Sequence, residues 1–158
     1  MLLFPPSRFY EEIFSLPNFL KGPLLSFGVQ DIDSRLTFDG QYYPDLSTFL
    51  NSQNIQSFSL DLFDPRATFR HDMNMPITID QYGHFQTVID IGSFEHIFDT
   101  RRCLENCLRL VAVGGHYMLH TPVNGYFSHG MHVFQPEAII DALELNGFRI
   151  IYQKYSQE

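Results

Sequence analysis

The chain has 158 residues, 44% of them hydrophobic and 18% charged, which points to one globular domain and excludes wholesale disorder. A net charge of −8 argues against a nucleic-acid backbone or an anionic membrane as the main partner, because both demand concentrated basic surface. No run approaches the roughly 20 apolar residues of a membrane span, and MLLFPPSRFYEEIF lacks the basic and long apolar regions of a secretory signal. The expectation is a soluble, cytoplasmic protein. Its two cysteines, Cys103 and Cys107, fall four apart and read as small core residues of a reduced protein. Sixteen Phe and eight Tyr with no Trp predict an unusually aromatic core.

In chain order, Pro5-Pro6-Ser7 lead into FYEEIFSL, a short helix with Phe9, Ile13 and Phe14 on one face, ended by Pro17 and Gly22-Pro23. A first strand over 24–30 runs into the turn Gly28-Val29-Gln30-Asp31, and residues 32–44 read as loop. Residues 45–53 form a helix with Leu46, Phe49 and Leu50 inward. IQSFSLDL alternates and gives a second strand over 55–62. A third, over 67–71, ends in His71-Asp72-Met73-Asn74, with the polar stretch Thr78 to Gly83 beyond.

Phe85 to Ile91 is a short run rich in β-branched residues, as a strand buried on both faces should be, and the predicted strand is 85–92. Gly92-Ser93 closes it, and Glu95-His96 follow where the chain leaves the sheet. Asp99-Thr100 caps a helix with Cys103, Leu104, Cys107, Leu108 and Val111 at helical spacing, and Gly114-Gly115 stops it. A fifth strand over 115–121 leads into Pro122 and a loop with Asn124-Gly125 and His129-Gly130. Ala138 to Leu145 is a helix stopped by Asn146-Gly147, and 148–155 is a last strand. Strands alternating with helices predict an α/β domain: a mostly parallel sheet of about six strands with helices on both faces, binding ligands beyond the carboxyl ends of the strands.

VIDIGSFEHIFD, then a helix, then VGGHYMLHTPVNGYFSHGMHVFQPE, resembles the class I S-adenosylmethionine-dependent methyltransferases. The likeness is to the branch with a Glu-His pair after the fourth strand and Gly-Gly before the fifth. It is clearest over residues 85–150 and thinner over 24–75. It implies a Rossmann-like methyltransferase fold, abbreviated at the C-terminus because no residues follow Glu158 to form the family's seventh, antiparallel strand. It also implies S-adenosylmethionine as cofactor and a small-molecule acceptor methylated on oxygen or nitrogen.

Carried over residue by residue, the likeness puts the methionine end of the cofactor on the turn holding Gly28 and Gln30, which has one glycine where the family has two or three. Asp61, or else Asp64, takes the ribose hydroxyls, since a carboxylate accepts from a vicinal diol with both oxygens. Asp72 and Met73 meet the adenine, and Gly92 lines the cofactor after the fourth strand. His96 and His129 are expected to approach one another across the pocket mouth and form the acceptor side, because the loops after the adjacent fourth and fifth strands open onto one crevice; either imidazole can take a proton near neutrality. Glu95 orients His96 or caps the next helix. Gly28, Asp61 and Asp72 also have a purely structural alternative as turn residues, Glu95 as a residue of the first helical turn and His96 as a packed side chain.

Two other readings stand beside this one. The thinned glycine turn and the missing seventh strand suit a methyltransferase-like binding or assembly module without catalysis. The histidines His116, His120, His129 and His132 suit a metalloenzyme more distantly, since no three of them have a recognised ligand spacing, and no metal ligand is assigned. An exposed sheet edge and the aromatic content predict a homodimer or other partner contact.

Overall fold

A computed structural model describes residues 2–3, 8–34, 36–38, 40–78, 84–125 and 127–155. The expected start of the first helix at Pro6 or Ser7 and most of the polar stretch up to Gly83 lie outside the described residues. The main sheet has five strands, all parallel: β2 (Leu24–Phe27), β4 (Ser57–Asp61), β5 (Phe69–Arg70), β6 (Phe85–Ile91) and β7 (Val111–His120). Their order across the sheet is β5-β4-β2-β6-β7. A separate parallel pair joins β1 (Leu2–Leu3) to β3 (Asp31–Ile32).

The central strands are apolar because both their faces are covered. Every residue of β2 is buried, and alternate residues feed two different cores. Leu24, Ile89 and Ile91 pack with Tyr10, Ile13 and Phe14 of α1 (Arg8–Phe14) and with Leu46, Phe49 and Leu50 of α2 (Leu46–Ser52). Leu25, Phe27 and Val88 pack with Cys103, Cys107 and Leu110 of α3 (Thr100–Leu110). This is an α/β architecture with helices on both faces of the sheet. The first core is aromatic, as expected, with Phe38 stacked on Phe49 at 4.4 Å. Asp45 caps α2 by accepting from Thr48 N at 2.7 Å, and Asp99 caps α3 by accepting from Arg102 N at 2.9 Å.

Several expectations are corrected. The first strand stops at Phe27, because Gly28 turns the chain with φ +76°. Gly114-Gly115 does not end α3; the helix stops at Leu110, and β7 begins at once with Val111. The two glycines sit inside β7, where the pairing register slips between Phe85↔Val111 and Thr87↔His116. Gly114 has φ +78°, and a Cβ on Gly115 would lie 2.8 Å from Gln86 O, so backbones approach too closely there for any other residue.

The predicted last strand over 148–155 does not form, so among the described residues the sheet has five strands rather than six. The preceding helix, α4 (Pro136–Leu145), is present and ends at Gly147 with φ +83°. The segment after it is held by Glu12 of α1, which accepts from Tyr152 Oη at 2.7 Å and pairs with Lys154. A strand needs a neighbour's ladder, and here a groove of about 1550 Å³ separates this segment and α4 from β7. No helix among the described residues is long and apolar enough to cross a membrane.

Candidate functional site

The direction of winding, not of the strands, reverses at β2: β4 and β5 are added on one side of it, β6 and β7 on the other. The carboxyl ends of β4, β2 and β6 therefore open onto one crevice, and four of the sequence candidates meet or border it. A Cβ on Gly28 would lie 3.2 Å from Gln30 Nε2, 3.3 Å from Ser93 Oγ and 3.7 Å from Asp61 Oδ2. Gly92 follows β6 with φ +73°, its N–H donating to His120 O at 2.9 Å.

Gln30 is buried, and its amide donates to Phe27 O at 2.6 Å and Ile91 O at 3.4 Å, tying the ends of β2 and β6 together. Its Oε1 is buried with no hydrogen-bond partner among the described residues. Asp61 accepts at Oδ1 from Phe63 N (2.7 Å) and Asp64 N (3.0 Å), which leaves Oδ2 beside Gly28. Asp64 is committed elsewhere: hydrogen bonds from the Arg66 side chain and backbone hold its carboxyl down at about 2, and Arg66 also bridges to Asp31.

Asp72 and Met73 follow β5, at the edge of the sheet. The Asp72 carboxylate accepts from Asn74 N (2.9 Å) and Asn74 Nδ2 (2.7 Å), which lowers its pKa. Met73 is packed in the core that α3 covers.

On the other side of Gly92 a short 3₁₀ turn, Phe94–His96, carries Glu95 into the interior at 1% exposure. Glu95 does not cap α3, a role that Asp99 fills. Its Oε2 accepts from Thr121 Oγ1 at 3.1 Å, just past the end of β7. Its Oε1 lies 3.5 Å from His129 Nε2 and 4.0 Å from His96 Nε2, and the two imidazole centroids are 5.2 Å apart. The His129 loop is fastened to Glu95 by its backbone: Met131 N and His132 N both donate to Glu95 O, at 2.8 and 3.1 Å. Gly130 permits this, because a Cβ there would sit 2.8 Å from Glu95 Cγ. Glu95, Thr121, Pro122 and His129 line one end of the large groove.

The other histidines are placed differently. His120 Nδ1 meets Tyr10 Oη at 2.9 Å, and His116 stands edge-on to Phe19 at 5.7 Å, so neither joins the Glu95 cluster. One buried titratable group escaped the sequence reading. Asp90, within the apolar run of β6, is fully buried, accepts from Ser93 N at 2.9 Å through Oδ1, and has no hydrogen-bond partner for Oδ2 among the described residues. Burial pushes its carboxyl up to about 7, against the Ser93 N–H and with help from the charge of Glu95. The available signal was a lone carboxylate one residue from the end of an otherwise apolar strand.

No family model matches the chain, and neither a curated protein nor a solved structure matches it.

Proposed function

We propose that this chain is a class I, Rossmann-like methyltransferase that uses S-adenosylmethionine to methylate an oxygen or nitrogen of a small-molecule acceptor. The observation that carries the reading is the sheet order. Counting only the main-sheet strands along the chain, it runs 3-2-1-4-5, the doubly wound order whose ligands lie at the reversal beyond the carboxyl ends of the strands.

The residues at that reversal suit a nucleoside cofactor. Gly28 keeps open a space that a Cβ would fill, bounded by Ser93 Oγ and Asp61 Oδ2. Asp61 has an oxygen beside that space to accept from ribose hydroxyls. Gln30 adds a buried acceptor with no partner among the described residues. Gly28, Gln30, Asp61 and Gly92 would hold the cofactor, which supplies a methyl group on a sulfonium leaving group. The chain's own part is to orient the acceptor and receive its proton. His96 and His129 present their imidazoles at the mouth, Glu95 stands within reach of both, and the groove beside them admits the acceptor.

One observation favours a second reading, a binding or assembly module without catalysis. The Gln30 side chain is buried next to Gly28, where it narrows the approach to the turn.

Calorimetry with S-adenosylhomocysteine tests the reading, followed by methyl transfer over a panel of small metabolites. Wild type is expected to bind, and Asp61→Ala to weaken binding by about 1–3 kcal/mol through lost charge-assisted hydrogen bonds. Absence of binding sinks the methyltransferase reading; binding with no turnover of any acceptor moves the balance to the module.

A further inference from the structure

We propose that Glu95, His96 and His129 form a binding site for one first-row divalent metal ion, of the zinc or ferrous class, on the acceptor side of the crevice. Two imidazole nitrogens and one carboxylate oxygen from three separate side chains are a ligand set that such ions take with further positions left open. Here one ligand atom from each of Glu95, His96 and His129 lies within 4.8 Å of the other two. Three ligands about 2.1 Å from a tetrahedral ion stand about 3.4 Å apart. The Glu95–His129 separation of 3.5 Å already meets this, and the 4.0 Å to His96 needs a small inward swing of a side chain that is 41% exposed.

The surroundings are those of a prepared ligand rather than of a surface carboxylate. Glu95 is buried, and its second oxygen is held by the Thr121 hydroxyl, the kind of outer contact that fixes a ligating carboxylate. The loop carrying His129 is locked over Glu95 by two backbone hydrogen bonds and by the close packing of Gly130. Glu95 and His129 line the groove, so an ion there keeps its open positions on the side from which a small molecule enters.

The site's use in catalysis rests on the methyltransferase reading; ion binding itself does not. An acceptor hydroxyl in an open position would bind through oxygen and lose its proton to solvent more easily, since a bound divalent ion lowers the pKa of an oxygen ligand. The two imidazoles would then serve as ligands rather than as bases.

The experiment titrates chelator-treated protein with Zn²⁺ by calorimetry and with Co²⁺ by visible absorption. One equivalent is expected, with the ligand-field bands of nitrogen and oxygen coordination. His96→Ala and His129→Ala should each weaken binding by about 100-fold, Thr121→Val by about tenfold, and His71→Ala, remote in sequence at the end of β5, not at all. Because loss of a buried carboxyl can unfold the chain, Glu95→Gln is judged only beside its thermal melt without metal. No binding by wild type, or unchanged affinity in the His96→Ala/His129→Ala double variant, overturns the proposal. Calorimetry with S-adenosylhomocysteine on the metal-free protein is a separate arm: nucleoside binding without any metal site defeats only this inference, and a metal site without nucleoside binding defeats only the methyltransferase reading.

Discussion

Helices α3 and α4 have nearly equal lengths and precede and follow β7, yet they end in opposite surroundings. Helix α3 buries Cys103, Asn106, Cys107 and Leu110. Helix α4 carries Ile139, Ile140, Leu143 and Leu145 and has no fully buried residue, Ile139 being half-buried against the core that α3 covers. Apolar content therefore does not decide burial; a matching partner does. Helix α3 lies against the sheet on one side and is tied on another through Asn106. That side chain accepts from Ile77 N at 3.0 Å and donates to Met73 O and Met75 O at 3.2 and 2.8 Å. Helix α4 faces the groove instead. The candidate site lies on the boundary, with Glu95 rooted in the packed half and His129 in the loop that leads to the open one.

The strongest way to break this comparison is Leu110→Ala. Leu110 is wholly buried in the core with Leu25 and Val88. Truncation removes its transfer energy and leaves a cavity, so a loss of about 2–5 kcal/mol is expected in urea unfolding. A loss below 1 kcal/mol would mean that the α3 side is packed no better than the α4 side.

Asp90 tests the same packed half through pH. Its folded pKa of about 7 lies above the ordinary carboxyl value, so the folded state holds the proton longer than the unfolded chain. The stability this lends is fully present below about pH 3.9, falls as pH rises, and is gone above about pH 7. A span of about 3 pH units corresponds to up to about 4 kcal/mol. Asp90→Asn keeps an acceptor for Ser93 N and should flatten the decline across that window, ending more stable than wild type at pH 8. Parallel stability–pH curves for the two proteins would show Asp90 to be better solvated than its burial implies.

At the boundary, Gly130→Ala should cost about 1–3 kcal/mol, because the new methyl must displace Glu95 or lift the His129 loop. If the loop lifts, metal affinity falls with stability. A neutral substitution would show that the loop does not sit on Glu95 in solution.

How far the sequence could anticipate this follows the same division. The strands of the packed half were legible because Leu24–Phe27 and Phe85–Ile91 are apolar runs whose burial depends on little else. Helix α3 was legible from its Asp99 cap and cysteine spacing. Gly114-Gly115 misled, since the same dipeptide serves a helix stop and a strand bulge, and only the approach of Gln86 distinguishes them. The stretch 148–155 misled because strand pattern is local and pairing is not. His96 and His129 were legible as neighbours from topology, because loops after adjacent parallel strands share a crevice. The fastening of both to a buried Glu95 was not, since it depends on Thr121 and on backbone contacts of residues 130–132.

The smallest expected effect is the sharpest test of the open half. Leu145 is 86% exposed at the end of α4. Leu145→Ala removes no buried surface, and alanine is at least as good a helix former, so stability should change by no more than about 0.5 kcal/mol. The same substitution becomes costly only if something covers that face in solution. A second copy of this chain would do so, and the cost would then grow with protein concentration, since association stabilises the folded state by mass action. Unfolding of wild type and Leu145→Ala at two concentrations a hundredfold apart separates the cases. A difference near zero at both leaves α4 exposed as described. A difference above about 1.5 kcal/mol at the higher concentration alone would mean that the contrast between the helices belongs to the isolated chain and is closed by its partner.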